Sequence, residues 1–244
     1  LMNADDQEKL YENYWLYIEK TLRNKMDYSN LDAFFMQYIV YKTSKPVNSR
    51  QLYNSFVKLF KDSGYSQESI LKELRYYAEI FGAFVYGSAK YSERINRLLY
   101  RLRVLNQTTC YPFLLHVFDD YHQGVIDEET VEKILQFILA YLLRRMVCGV
   151  PSNTLRGLFT YLYNRIFKVA SNKQKYYETL NKFLFTVSSK DVIPSAAEFE
   201  RALQKANIYG NNALCRFLLL DIENGDGKEI LQAENLTIEH IMPQ

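Results

Sequence analysis

Apolar residues recur at helical spacing along almost the whole chain, and that period leaves few folds open to it. In residues 66–87, Ile70, Leu74, Tyr77, Phe81 and Phe84 step by four, three, four and three, which puts them on one helix face. Val131, Ile134, Leu135, Ile138 and Leu142 form a second such stripe. Its boundaries are legible too. Asp127 is an N-cap, Glu128 and Glu129 suit the positive end of the helix dipole, Arg144 and Arg145 suit the other end, and Gly149 and Pro151 stop the run. Ser66 stands where an N-cap belongs, and Ser195 with Glu198 spells a capping box.

The same pattern predicts helices at 4–24, 30–42, 48–62, 66–86, 91–105, 110–122, 128–147, 152–170, 173–187, 195–206 and 211–223. Only the segment near 236–244 reads as a strand. The expected fold class is all-α: an irregular bundle or array of about eleven helices ending in one short strand. The expected organisation is a helical domain over 1–224, in one or two lobes, a polar linker at 225–235, and the first strand of a truncated domain at 236–244.

Composition narrows the setting. Hydrophobic residues make up 48% of the 244, enough for a sizeable core, and charged residues 24%. Three cysteines, Cys110, Cys148 and Cys215, are odd in number and far apart, which points to reduced thiols rather than a disulfide or zinc framework. No apolar run reaches membrane-spanning length, and the acidic N-terminus lacks the order of a signal peptide. The expected location is cytoplasmic, without a membrane role. The net charge of +2 hides a division: residues 144–190 carry nine bases and one acid, and residues 191–244 four bases and nine acids.

Several motifs fail on inspection. The glycine spacing of Gly82–Ser88 lacks a P-loop lysine and ends a helix, and Asp221–Gly227 lacks the ligands of a calcium loop. His116 and Asp120 lie one helical turn apart and could share a metal. One pair is half a site, and a solvated or capping histidine is the simpler reading; His122 lies on another face. Arg94, Arg97 and Arg101 form one stripe able to track phosphates, or else a solvated face. Arg144, Arg145 and Arg156 join them as candidate DNA contacts.

The last residues, Thr237-Ile238-Glu239-His240-Ile241-Met242-Pro243, differ in kind. An acid before a histidine at a strand end, followed by Ile-x-Pro, is the opening of an HNH-type nuclease motif. A neutral histidine can deprotonate a water that attacks phosphorus, and the acid offers a hard oxygen to a divalent cation. On those residues alone an ordinary strand with a buried histidine fits equally well.

Together with residues 8–20 (EKLYENYWLYIEK), 111–126 (YPFLLHVFDDYHQGVI) and 141–159 (YLLRRMVCGVPSNTLRGLF), the ending resembles the helical middle region of the GmrSD-type restriction endonuclease family, over nearly the whole chain. The resemblance implies a bacterial anti-phage DNA endonuclease. A ParB-like nucleotide-binding domain would precede this region, and an HNH nuclease domain would follow. It implies His240 as general base and Glu239 as metal-site acid of an incomplete site. The later asparagine and third histidine, and the family's Asp-Gly-Gln-Gln-Arg-type nucleotide motif, have no counterpart here. The divalent metal and nucleoside triphosphate are therefore expected in the parent and not in this piece, which should be non-catalytic and should contact DNA. The competing expectation is a helical protein–protein scaffold, which the many tyrosines suit equally.

Overall fold

The computed structural model describes residues 4–23, 29–61, 63–187, 190–226 and Ile238. They form α1 (Ala4–Leu10), a π turn (Tyr11–Trp15), α2 (Leu16–Leu22), α3 (Ser29–Thr43), α4 (Leu52–Lys61), α5 (Gln67–Tyr86), α6 (Glu93–Val104), α7 (Tyr111–His122), α8 (Glu128–Val147), α9 (Leu155–Phe167), α10 (Tyr176–Thr186), α11 (Ala196–Leu203) and α12 (Asn212–Asp226). Short 3-10 turns precede α4, α9, α10 and α12. Since the π turn joins α1 to α2, these are the expected eleven helical runs, and none of the described residues is in a strand.

Two expectations need correction. The first run is not one regular α-helix: the wide turn at Tyr11–Trp15 adds a residue, which rotates the following face by roughly 100°. Trp15 stacks on Phe35 at 6.0 Å and donates from Nε1 to Glu19 at 3.0 Å. At the other end α12 continues through Gly225 to Asp226, so the expected linker does not begin at 225. The strand expected at 236–244 lies outside the described residues except for Ile238, which is not in a strand.

Local signals set the helix ends. Ser66 Oγ accepts from Ser69 N at 3.1 Å, Asp127 Oδ1 accepts from Thr130 N at 2.9 Å, and the Ser195–Glu198 capping box is closed in both directions. Gly149, at φ +64°, ends α8 in the left-handed conformation that glycine adopts without Cβ strain. Each cap contributes about 1 kcal/mol. The α8 stripe contributes far more: Val131, Ile134, Leu135, Ile138 and Leu142 are all fully buried, at about 2 kcal/mol per side chain. Packing holds these helices, and caps decide where they stop.

One core runs from Ile18 and Leu22 in α2 to Leu214 and Phe217 in α12. Its hub is α7, which packs on α3, α5, α8 and α9. Phe113, Leu114, Leu115, Val117 and Phe118 are inaccessible to solvent, so α7 is apolar nearly all round, as a surrounded helix must be. The α2–α5 contact is tight at Gly82, where a Cβ would lie 2.8 Å from Thr21 Cγ2. Gly82→Ala is therefore expected to destabilise the fold by roughly 1–2 kcal/mol through overpacking. Gly157→Ala in α9, where a Cβ meets nothing, should stabilise it by up to about 1 kcal/mol through helix propensity. Opposite signs in paired urea melts support the close approach; equal signs refute it.

Candidate functional site

The six candidate arginines do not form one surface. On α6, Arg94 Nη1 lies 3.6 Å from Glu132, Arg97 Nη2 3.3 Å from Glu93, and Arg101 Nη2 2.5 Å from Asp221 of α12. Arg101 also covers the Phe217 ring at 5.2 Å, so it ties α12 to α6. The stripe exists, but each of its members has a carboxylate partner. Arg144 Nη1 donates to Pro194 O at 3.2 Å, and Arg156 donates to Val47 O. His240 and Glu239 lie outside the described residues.

Arg145 is the clear correction. It is 1% exposed, and it donates to Lys190 O at 2.7 Å, Pro151 O at 2.9 Å and Thr154 Oγ1 at 3.3 Å. A guanidinium spent on buried carbonyls cannot meet DNA. It clamps the end of α8 to the turn before α9 and to the segment after α10. Tyr141, one turn back, donates to Asp191 O at 2.8 Å on that same segment. Burial and the Asp191 carboxylate push the Tyr141 hydroxyl up to about 12, and Arg145 opposes them.

Titratable side chains gather at the C-terminal half of α7. Asp120, buried, accepts from Lys173 Nζ at 2.7 Å, Tyr163 OH at 2.7 Å and Tyr176 OH at 3.1 Å. Asp119 accepts from Tyr76 OH at 2.9 Å and Tyr41 OH at 3.1 Å. His116 caps no helix and is half-buried. It stacks on Tyr163 at 3.9 Å and 7°, with Tyr41 on its other side at 4.2 Å. His116 and Asp120 do not share a metal, because Asp120 is occupied by an ammonium and two hydroxyls. Among the described residues no three potential ligands gather.

A cleft of about 470 Å³ lies between α2, α5 and the end of α7, lined by Tyr17, Tyr76, Glu79, Lys90, Tyr91 and His122, among others. Tyr76 OH donates to Asp119, so its oxygen accepts from His122 Nδ1, 3.2 Å away. Nε2 then accepts from Tyr91 OH at 3.0 Å. The bonds fix one neutral tautomer. Partial burial lowers the His122 pKa with help from Lys90, and Asp119 and Glu79 oppose it. Both ring nitrogens are satisfied internally, so the arrangement orders the cleft wall and leaves no free base.

His116 makes the cluster sensitive to acid. Burial, and secondarily the Lys173 charge, lower its pKa from 6.5 to about 3. Between those values the unfolded chain binds a proton that the folded chain refuses. Stability is therefore complete above about pH 6.5 and falls by up to about 1.4 kcal/mol per pH unit below it. Roughly 2 kcal/mol should be lost by pH 5. His116→Phe keeps the stack and removes the proton, so its urea midpoint should shift less between pH 7 and pH 5. Equal shifts in both proteins would sink this assignment.

Sequence reasoning marked the basic segment 144–190 but missed the cations that the fold sets beside it. No acid lies between Asp32 and Asp62, where five bases occur, or between Glu132 and Glu178, where eight occur. The fold joins these runs: besides the Arg156–Val47 bond, Asn164 Nδ2 of α9 donates to Ser44 Oγ at 2.5 Å. Scanning for acid-free runs would have found the run between Asp32 and Asp62 as well; the adjacency of the two is tertiary. Comparison with protein-family models, curated proteins and solved structures finds no match to this chain.

Proposed function

We propose that the chain is the helical connector of a nucleoside-triphosphate-dependent, HNH-type DNA endonuclease of the anti-phage restriction kind. It couples a ParB-like domain before it to a nuclease domain after it and is itself non-catalytic. The observation that carries this reading is the continuous core. α2 packs on α5, α5 on α6, and α6 and α8 on α12, so a displacement at the first helix reaches the last through packed side chains. The stretches behind the resemblance lie beside that path: 111–126 contains α7, which packs on α5 and α8, and 141–159 runs from α8 into α9 through the Arg145 clamp. Glu239 and His240 have the donor chemistry of a divalent-cation site. Two ligands are too few to orient a metal, so in this reading His240 and Glu239 act only together with further residues of the nuclease domain.

The test is the parent reading frame. An asparagine and a third histidine or lysine within roughly the next few dozen residues, with His240→Ala abolishing cleavage by the parent, support the reading. A stop codon directly after Gln244 overturns it in favour of a protein–protein scaffold. That second reading has one observation in its favour: Leu219 and Ile222, one turn apart on α12, are 50% and 70% exposed.

A further inference from the structure

Lys45, Arg50, Arg156, Arg165 and Lys168 are exposed, and none has a carboxylate within salt-bridge distance among the described residues. Several other exposed cations are matched, among them Lys72 with Glu68, Lys90 with Glu79 and the α6 stripe as above; these five differ in gathering on two adjoining segments. Neither joined run holds an acid, and while Lys42, Lys133 and Lys173 of those runs meet carboxylates of other segments, these five do not. Like charges gathered without counter-charges repel one another, and a polyanion laid across them relieves that repulsion and releases its own counterions. Between the cations on α9 sit Gly157, Tyr161 and Asn164. Tyr161 is 39% exposed with the Arg165 guanidinium 5.9 Å above its ring, a flat amphipathic platform suited to sugar or base.

We propose that the outer face of α9 and the adjoining segment 44–51 bind the phosphodiester backbone of nucleic acid without reading its sequence. Hydrogen-bonding groups, rather than insertable apolar side chains, lie between the α9 cations, which favours a phosphodiester chain over a lipid surface. The inference deepens the proposed function by naming a surface and a ligand. It rests on that reading only for its setting inside a nuclease. Binding is measured on this chain alone, so it can fail while the reading-frame test succeeds, and the reverse.

The experiment is fluorescence anisotropy of the 244-residue chain with labelled duplex DNA, single-stranded DNA and duplex RNA across a salt series. Five phosphate contacts predict a log–log salt slope of about −4 to −5 and roughly twentyfold weaker duplex binding at 0.2 M than at 0.1 M salt. The variant K45A/R165A/K168A alters only exposed side chains. It should flatten that slope by about 2.7 and weaken binding on the order of a hundredfold at 0.1 M. R94A/R97A should bind as the parent chain does. DNA should also shield Lys45 and Lys168 from acetylation. The three nucleic acids tell which source of phosphodiester is preferred, and binding to any of them on this face supports the proposal. No binding at 50 mM salt overturns it. So does loss of binding in R94A/R97A but not in the triple variant, or capture by acidic lipid vesicles with no nucleic-acid binding.

Discussion

Arg145→Ala should cost about 3–5 kcal/mol, because three charge-assisted bonds and a fully buried stem disappear together. The loss should not be uniform. The carbonyls of Lys190 and Pro151 lose their donor, so the segment after α10 should become open to proteolysis before the rest of the fold. Arg145→Met separates packing from hydrogen bonding. It restores most of the stem volume and removes the cost of a buried charge, so it should recover part of the loss without protecting the segment. Arg145→Lys should not substitute, since an ammonium cannot reach both carbonyls with a fixed fork. Urea melts with limited proteolysis decide the matter. A loss under about 1 kcal/mol for the alanine variant would mean that the clamp is incidental.

Asp120→Ala is the second large effect, at about 3–5 kcal/mol. The carboxylate holds three donors from α9 and the segment leading into α10, and its removal leaves the Lys173 charge and two tyrosine hydroxyls without an acceptor. Lys173 keeps partial contact with water, which places the expected loss toward the lower end. A double-mutant cycle isolates the pair: adding Lys173→Met to Asp120→Ala removes the stranded charge and should recover about 1.5–3 kcal/mol. Simple additivity would show that the contact is weak and that the hydroxyls dominate. Both predictions concern α7 and α8, where polar side chains enter an apolar core, and in a low-dielectric interior an unpaired group is most costly there.

The positions with the largest expected effects on stability were the least legible. His116 looked like a histidine near a helix end because periodicity shows only its own helix. The rings that enclose it, Tyr41 and Tyr163, come from α3 and α9. Arg145 looked like a basic C-terminal residue favoured by the helix dipole. Its burial depends on Pro151 and Lys190 closing over it. Arg94, Arg97 and Arg101 did fall on one stripe, but Glu132 and Asp221, which neutralise two of them, lie on other helices.

By itself the sequence determined the all-α class, the helical runs and most of their ends, because apolar period and capping are local and act within a few residues. The α5 and α8 stripes, the Ser66 and Asp127 caps, the Ser195–Glu198 box and the Gly149 stop could all be read without coordinates. Only the tertiary structure decided which charges meet. It matched the α6 arginines with acids, buried Arg145 among carbonyls, and brought residues 44–47 of one acid-free segment against α9 of the other. The physical reason is range: helix formation is settled over a turn or two, whereas the partner of a charge is set by how helices distant in the chain pack.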